Sequence, residues 1–331
     1  MRSTCIAVFC ILIVAKSYSQ PAAVTDFGPG VVSGKIYTNF HFGLNTPNRE
    51  TAFEITRAYF GYEKQISKHF SAIVKLDIGS PDDISEFSRV RRYAYFKNAG
   101  IEYNSGGLTI KGGIIDMLQF KVQEKFWNYR YLYRSYMDEY RFGPSADLGL
   151  STAYSFNKKL TSDIVLSNGE GYSSPQRDNT FKAGWGVTYM PFENLTIRSY
   201  YTSFLTAIPQ MTFSLFSGYQ LANYRVGGEV IYQKNYKSIS NRDRYGYSLY
   251  NTYVLNEKVE FFLRYDQLYS NITGNDAIPW NLPNDGSAMV GGIQFSPISR
   301  VHITADYQDW YAYARNGEKA NILFIHVEVI F

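Results

Sequence analysis

The sequence predicts an all-β fold, a transmembrane antiparallel β-barrel of about sixteen strands, and three observations predict it. Beyond Gln20 the chain falls into runs of about 10 to 14 residues in which every second side chain is apolar. The connections between these runs alternate between tight and long. Aromatic residues make up 17% of the 331 residues, with 30 Tyr and 23 Phe, and rings crowd the ends of the runs, as at Tyr93, Tyr103, Tyr245 and Tyr253. Such an aromatic load excludes disordered, collagen-like and coiled-coil chains. A mean hydropathy of −0.26, with no later apolar stretch approaching the roughly 20 residues of a membrane helix, excludes a helical bundle in the membrane.

The N-terminus is read as a leader. Arg2 precedes an apolar stretch from Cys5 to Ala15, and Ser17, Tyr18 and Ser19 follow with the small residues that a signal peptidase reads. Cleavage is expected before Gln20, which makes 1–19 a signal peptide and 20–331 the mature barrel. Both cysteines, Cys5 and Cys10, lie in the leader, so no disulfide or thiolate metal site is expected in the mature chain. The chain carries 33 basic and 29 acidic side chains. Losing Arg2 and Lys16 leaves an excess of about two positive charges, too few to argue for nucleic acid as a partner.

The last runs set the pattern. From Leu323, the residues Leu323, Ile325, Val327, Val329 and Phe331 fall on one face, with Phe324, His326, Glu328 and Ile330 on the other. Val301, Ile303, Ala305 and Tyr307 oppose His302, Thr304, Asp306 and Gln308 in the run before, and Arg315 to Glu318 between them is turn chemistry. Read backwards in this way, the chain gives strands near 30–44, 51–65, 70–80, 91–104, 107–117, 146–156, 159–168 and 180–190. The remaining eight are near 194–205, 210–219, 224–234, 243–254, 258–270, 286–297, 300–313 and 320–331. Tight connections fall at 67–69, 104–106, 157–158, 191–194, 220–223, 255–257 and 297–299. Long ones fall at 81–90, 118–145, 169–179, 235–242 and 271–285. Short turns on one side and long loops on the other mark an outer-membrane barrel, a bacterial outer-membrane location and lipid as a partner.

Face composition agrees. Phe181, Trp185, Val187, Leu195, Ile197, Phe261, Leu263 and Tyr265 point one way, and Lys182, Thr188, Thr196, Arg198, Glu260, Arg264 and Asp266 the other. A soluble sandwich would need a second layer over the apolar face, and no segment remains to build one. Some strands break the count. Lys97 and Asp309 fall on the outer face, and Phe53 and Ile55 share parity with Arg57, for which bulges are the available explanation.

Two stretches resemble a known family. Phe53 to Tyr62 (FEITRAYFGY) and Phe70 to Asp77 (FSAIVKLD) are similar to the first hairpins of the outer-membrane porin family that includes the phosphate-selective porins O and P, in its Bacteroidetes branch. The terminal Phe331 matches the aromatic residue that the barrel assembly machinery recognises in such proteins. The specific match covers these hairpins, and the rest of the chain agrees in pattern. The resemblance implies a sixteen-stranded channel for small anions, commonly a homotrimer, in a Gram-negative outer membrane. It also implies that the third long loop, 118–145, folds inward and forms the constriction. Arg57 and Asp77 carry over by position. The arginine ladder and lysine cluster of the phosphate-selective members do not, because no run here is dense enough in either residue.

Loop 118–145 is rich in aromatic residues and holds Lys121, Lys125, Arg130, Arg134 and Arg141 against Glu124, Asp138 and Glu139. The spacing of Trp127, Arg130, Tyr131 and Arg134 suits a short helix. A lid packed on neighbouring extracellular loops is the other arrangement for it. The remaining inward charges are mixed. Lys35, Arg57, Lys75, Arg92, Lys111, Lys182, Arg198, Arg225, Arg244 and Arg264 face Asp77, Glu102, Asp147, Asp163, Glu229, Glu260, Asp266, Asp306 and Glu328, an array expected to pair across strands and stiffen the wall.

Catalytic chemistry has little support. The four histidines, His41, His69, His302 and His326, lack metal-ligand spacing, although His302 and His326 fall on adjacent strands near Asp306. No GxSxG, P-loop or HExxH pattern occurs, and the Asn and Asp groups of 271–285 suit turns better than calcium. No enzyme activity, cofactor or metal is expected. The expected function is passive diffusion of small hydrophilic solutes with a modest preference for anions, phosphate among them. The expected pore-lining set is Lys121, Lys125, Arg130, Arg134, Arg57, Lys75, Asp77 and Arg92. A non-conducting barrel acting as a scaffold or secretion component is the main alternative, and a barrel hydrolase the third.

Overall fold

The computed structural model describes residues 27–44, 51–79, 94–274, 276–312 and 320–331. The leader over 1–19, Arg92, Tyr93, loop 81–90 and the turn at Arg315 to Glu318 lie outside the described residues. Sixteen strands form: β1 (Val31–Gly43), β2 (Thr51–Gln65), β3 (Phe70–Ile78), β4 (Ala94–Ser105), β5 (Leu108–Asp116), β6 (Ala146–Ser155), β7 (Leu160–Ser167) and β8 (Lys182–Phe192). They continue as β9 (Leu195–Phe204), β10 (Met211–Gln220), β11 (Tyr224–Lys234), β12 (Arg244–Asn256), β13 (Val259–Ser270), β14 (Gly286–Ile298), β15 (Val301–Ala312) and β16 (Ala320–Ile330). Neighbours in sequence pair antiparallel, and β1 pairs with β16 from Lys35 against Ile330 to Gly43 against Ile322, so the sheet closes into a barrel. Closure satisfies every strand edge, as a wall in hydrocarbon requires.

The period-2 alternation decides which side chains face where. On β13, Phe261, Leu263 and Tyr265 lie exposed on the outer wall, while Arg264 and Asp266 are buried inside. An apolar exterior around a polar interior inverts the arrangement of a water-soluble globule, and the solvent that suits such an exterior is lipid.

Two one-residue bulges account for most of the broken parity. Tyr37 pairs with Arg57 but Thr38 with Ile55, which leaves Thr56 extra, its hydroxyl donating to the Tyr37 carbonyl at 3.3 Å. Below this bulge Arg57 faces inward, and above it Phe53 and Ile55 face outward at 86% and 53% exposure. Lys75 pairs with Asn98 but Leu76 with Phe96. Lys97 is the extra residue and turns inward, 5% exposed, so the outer placement from strict counting is corrected by the bulge. Asp309 keeps its outer parity opposite Met289, at the long-loop end of β15, and accepts the Met289 N–H at 2.9 Å.

Tight turns repeat one device. The Asn157 Oδ1 accepts the N–H groups of Lys159 and Leu160 at 2.8 and 3.0 Å, and Asn256 does the same for Lys258 and Val259 at 2.9 and 3.0 Å. Each asparagine stands in for a backbone carbonyl and fixes the hairpin register.

The apolar core sits inside the barrel and is built around loop 118–145. Its helices are α1 (Lys121–Trp127) and α2 (Tyr136–Glu139). Trp127, Tyr129, Tyr131 and Leu132 pack on Phe216, Tyr250, Phe262 and Val290 of the wall and on Tyr37 and Tyr59 opposite. Space for these rings comes from glycines on the inner face. A Cβ on Gly218 or Gly227 would stand 2.6 or 2.7 Å from the Phe126 ring, and one on Gly246 would stand 2.0 Å from the Tyr136 hydroxyl.

Candidate functional site

The loop runs the depth of the lumen. Near the tight-turn end the Tyr129 hydroxyl donates to Glu260 at 2.5 Å. At the same register on the next two strands Tyr131 donates to Gln294 at 2.7 Å and also bonds Thr304. Near the long-loop end Tyr136 donates to the Gln267 carbonyl at 2.6 Å. The arrangement is therefore inward, and the lid packed on outer loops is excluded by these contacts.

Wall arginines hold the loop's backbone. Arg198 donates to the Leu118 carbonyl at 2.8 Å, Arg264 to that of Arg134 at 2.5 Å, and Arg244 to those of Tyr140 and Arg141 at 2.9 and 2.6 Å. Arg198 also pairs with Asp163 at 2.8 Å and Arg264 with Asp266 at 2.7 Å. These side chains are buried, and a guanidinium's fork of five donors suits joint service to a carboxylate and a carbonyl. They anchor the loop, and Arg244 also borders a space near the long-loop end.

Helix α1 ends earlier than the spacing of Trp127, Arg130, Tyr131 and Arg134 predicts. Asn128 adopts the left-handed conformation at φ 66°, its N–H returns to the Glu124 carbonyl at 3.0 Å, and the chain reverses. Arg130 then points back between Glu124, at 2.6 Å, and Asp138. Lys121 bridges Asp116 and Glu124 at 3.4 Å each. Burial penalises the Lys121 ammonium, but Asp116 and Glu124 outweigh it and hold the group above its ordinary value. Burial likewise opposes the charge on Asp138, and Arg130 overrides it to keep that carboxyl below the usual range. Glu139 differs: burial dominates and raises its carboxyl.

The opposite wall, from β1 to β4, faces open space. Arg57 lies 3.3 Å from Asp77 and donates to the Tyr59 hydroxyl at 3.1 Å, and Tyr172 donates to Asp77 at 2.7 Å. Asp77 is almost wholly buried behind this network, so it orients Arg57 and does not itself line the lumen. Lys75 lies over the Tyr59 ring at 5.9 Å. Lys97 bonds the Ser145 hydroxyl and sits 4.2 Å from the Tyr172 ring centroid. Among the described residues neither Lys75 nor Lys97 has a carboxylate within ion-pair distance.

Between this wall and the loop lies a run of spaces that share borders. A cavity of about 280 Å³ at mid-depth is bordered by Tyr37, Thr56 and Arg57 on one side and by Arg130, Arg134 and Glu139 on the other. Tyr37 and Arg130 also border two spaces of about 300 and 400 Å³ toward the tight turns. Arg57 and Arg134 also border one of about 490 Å³ toward the long loops. Tyr37 and Arg57 on the wall and Arg130 and Arg134 on the loop thus border the smallest of these four spaces. Lys75, Lys97 and Lys121 line the 300 Å³ space just beyond it, and Lys125 lines the 400 Å³ space nearer the mouth.

Sequence reasoning thus brought Arg57, Lys75, Lys121, Arg130 and Arg134 to one place, and Lys125 to its edge. It missed Tyr37, whose ring carries no charge to draw notice, and Lys97, for which a lysine on an apolar parity was the available signal of a bulge.

His302 and His326 border two of these spaces. His326 Nε2 lies 3.4 Å from Asp306 Oδ1, both buried, with the Tyr131 ring 6.3 Å from His326 and 6.5 Å from His302. His302 bonds the Ser296 hydroxyl at 2.7 Å. In loop 271–285 the carboxylates serve turns, Asp285 taking the N–H and hydroxyl of Ser270 at 3.0 and 2.5 Å.

No protein-family profile matches this sequence, and no curated protein matches it in sequence. Solved structures of similar architecture do exist. OmpF of Salmonella typhi in complex with daunomycin aligns with a TM-score of 0.71 at 12% identity, covering 91% of this chain and 97% of that one. OprB of Pseudomonas putida, in its high-pH structure, gives 0.68 at 8%, covering 92% and 94%. An anion-selective porin from Comamonas acidovorans gives 0.63 at 11%, covering 91% and 99%. At these identities the likeness is one of fold. It covers about nine-tenths of the chain and bears on neither the phosphate-selective family nor its Bacteroidetes branch.

Proposed function

We propose that the protein is an outer-membrane porin that passes small hydrophilic solutes by passive diffusion with a modest preference for anions, phosphate among them. One observation supports the reading: four spaces along β1 to β4 share lining residues and are bordered by more cations than anions, and the smallest of them, between Tyr37 and Arg57 and the loop's Arg130 and Arg134, is taken as the narrow part. The mechanism needs no tight site. Lys75 and Lys97 raise the local anion concentration, Arg57 and Arg134 border the narrow part, and an ion that met several of these groups in turn would move on before any one trapped it.

The pairing of Arg130 refines its role. With Glu124 and Asp138 on either side it holds the loop's shape, and the trio carries no positive excess. Reversal to Glu would set three carboxylates together and cost about 3–5 kcal/mol, the usual penalty for breaking a buried pair. Lys75→Glu is the cleaner test of selectivity.

Reversal potentials in planar bilayers under a potassium chloride gradient test the function. Chloride preference in the unaltered barrel and a shift toward potassium in Lys75→Glu are expected. A purified, folded barrel that conducts nothing would overturn the porin reading in favour of a scaffold or secretion component. The N-terminus and tight turns are assigned to the periplasm, and association into homotrimers through the apolar outer wall is part of the same reading.

Phe331 is the proposed signal for the barrel assembly machinery. Its backbone also closes the seam, accepting the Gly34 N–H at 2.7 Å and donating to the Gly34 carbonyl at 3.0 Å. Deletion would remove both functions. Phe331→Ala keeps the seam and should still lower the amount assembled in the outer membrane, while normal assembly would leave only the seam role.

A further inference from the structure

A further space in the lumen lies beside the charged passage. It is a cavity of about 620 Å³ between the loop and the long-loop ends of β12, β13, β15 and β16, within the roughly 300–1,000 Å³ of small-molecule sites. Rings and amides dominate its lining. Tyr140 and Trp310 have centroids 5.8 Å apart at 37°. Tyr236 borders the same space, with the Arg244 guanidinium 4.2 Å from its ring centroid and Trp280 stacked on it at 5.2 Å. Asn281, Asn284 and Gln308 supply amides, and Glu139, Arg141 and Asp309 add charges at the border.

These groups are held yet leave hydrogen-bonding capacity facing the space. Three of the four tryptophans donate their indole N–H, Trp127 to the Tyr133 carbonyl, Trp185 to Ser162 and Trp280 to the Asp243 carbonyl. Trp310, half-buried, makes no such bond among the described residues. Gln308 spends its amide hydrogens on the Leu132 carbonyl at 3.3 Å and on Asp306 at 2.8 Å, which orients the group and leaves its oxygen free to accept. Asn284 donates to Asn281 at 2.9 Å, and its own oxygen is likewise free.

Flat ring faces with planar amides beside them match one chemistry well. A pyranose presents C–H bonds on its broad faces and hydroxyls around its rim, so rings cover the faces while amides bond adjacent hydroxyls. A simple inorganic anion could meet Arg141 or Arg244 but would leave the rings and the amide oxygens unused. We propose that this cavity is a saccharide-binding vestibule for a one- or two-ring pyranoside. Tyr133, Glu139 and Gln308 border both it and the mid-depth space, so a sugar seated there stands at the entrance to the narrow part. The role as an entrance rests on the porin reading; the binding site does not.

The test is isothermal titration calorimetry on the purified full-length barrel in a polyoxyethylene detergent, which carries no sugar headgroup. Maltose and cellobiose are the ligands and sorbitol the control, with potassium chloride conductance recorded on the same preparation. Saturable binding of either disaccharide and none of sorbitol is expected. Trp310→Ala should weaken it about 3- to 10-fold, and Trp310→Phe, which keeps a ring face, by about 2-fold or less. If Trp310→Ala fails to fold, Asn284→Ala on the exposed rim should weaken binding about 3-fold. Disaccharides that behave like sorbitol, or affinities unchanged in these variants, would overturn the vestibule. Conductance without binding rejects the vestibule alone, and binding without conductance rejects the porin reading alone.

Discussion

The two walls of the lumen carry similar inward residues and use them oppositely. From β9 to β13 the inner face offers Arg198, Arg244 and Arg264 together with Gly218, Gly227 and Gly246, and the loop covers all of them. From β1 to β4 it offers Lys35, Arg57, Lys75 and Lys97 together with Tyr37 and Tyr59, and water-filled space remains in front. A charge on the inner parity of a barrel strand is thus not by itself a pore charge. Small neighbours that admit the loop's rings make it an anchor, whereas on the other wall the loop's rings meet Tyr37 and Tyr59 and leave open space in front of the charges beside them.

The sharpest way to break that contrast is to remove an anchor. Arg264→Ala strands Asp266 in a buried site and frees the Arg134 carbonyl, at a cost of about 3–5 kcal/mol. The folded barrel should unfold at lower urea than the unaltered protein, and channels that form should show larger, noisier conductance as the loop detaches. Lys75→Glu, on the open wall, should leave the urea midpoint nearly unchanged.

A smaller effect is expected from filling the space that the loop needs. Gly227→Val places side-chain atoms where the Phe126 ring lies and should cost about 1–3 kcal/mol by overpacking. Its urea midpoint should fall by less than that of Arg264→Ala. Gly112→Val, on the outer face where Leu150 is the nearest contact at 3.6 Å, should be close to neutral.

Smaller still is a pH effect confined to the open side. Burial raises the Glu139 carboxyl, whereas Asp138 beside it is kept low by Arg130. Over the pH window in which Glu139, held above the ordinary carboxyl range, takes up its proton while Asp138 stays ionised, the mid-depth space loses a negative charge as pH falls. Chloride preference should rise over that window, and Glu139→Gln should abolish the rise. A selectivity flat with pH in the unaltered barrel would place Glu139 outside the passage.

Much of this architecture was legible from alternation and turns. The sixteen strands fall within a few residues of their expected places because a period of two, bounded by Asn and Gly turns, has one structural solution. Loop 118–145 was legible as an inward element through the family resemblance. Other features were not legible, for physical reasons. A bulge is a one-residue event, so Thr56 and Lys97 left only a conflict of parity. Asn128 ends α1 through a left-handed conformation that many asparagines in helical spacing never adopt. The division of arginines into anchors and pore charges depends on which wall the loop lies against, a tertiary fact that no strand states alone.

The central claim is that solutes follow the β1 to β4 wall while the loop seals the other. Lys75→Cys and Ser214→Cys test it directly. Both positions face inward, and Ser214 is 1% exposed on the loop-bearing side. A negatively charged methanethiosulfonate reagent added during single-channel recording should alter conductance and lower chloride preference at position 75 and leave position 214 untouched. Equal modification of both, or modification of 214 alone, would contradict the account.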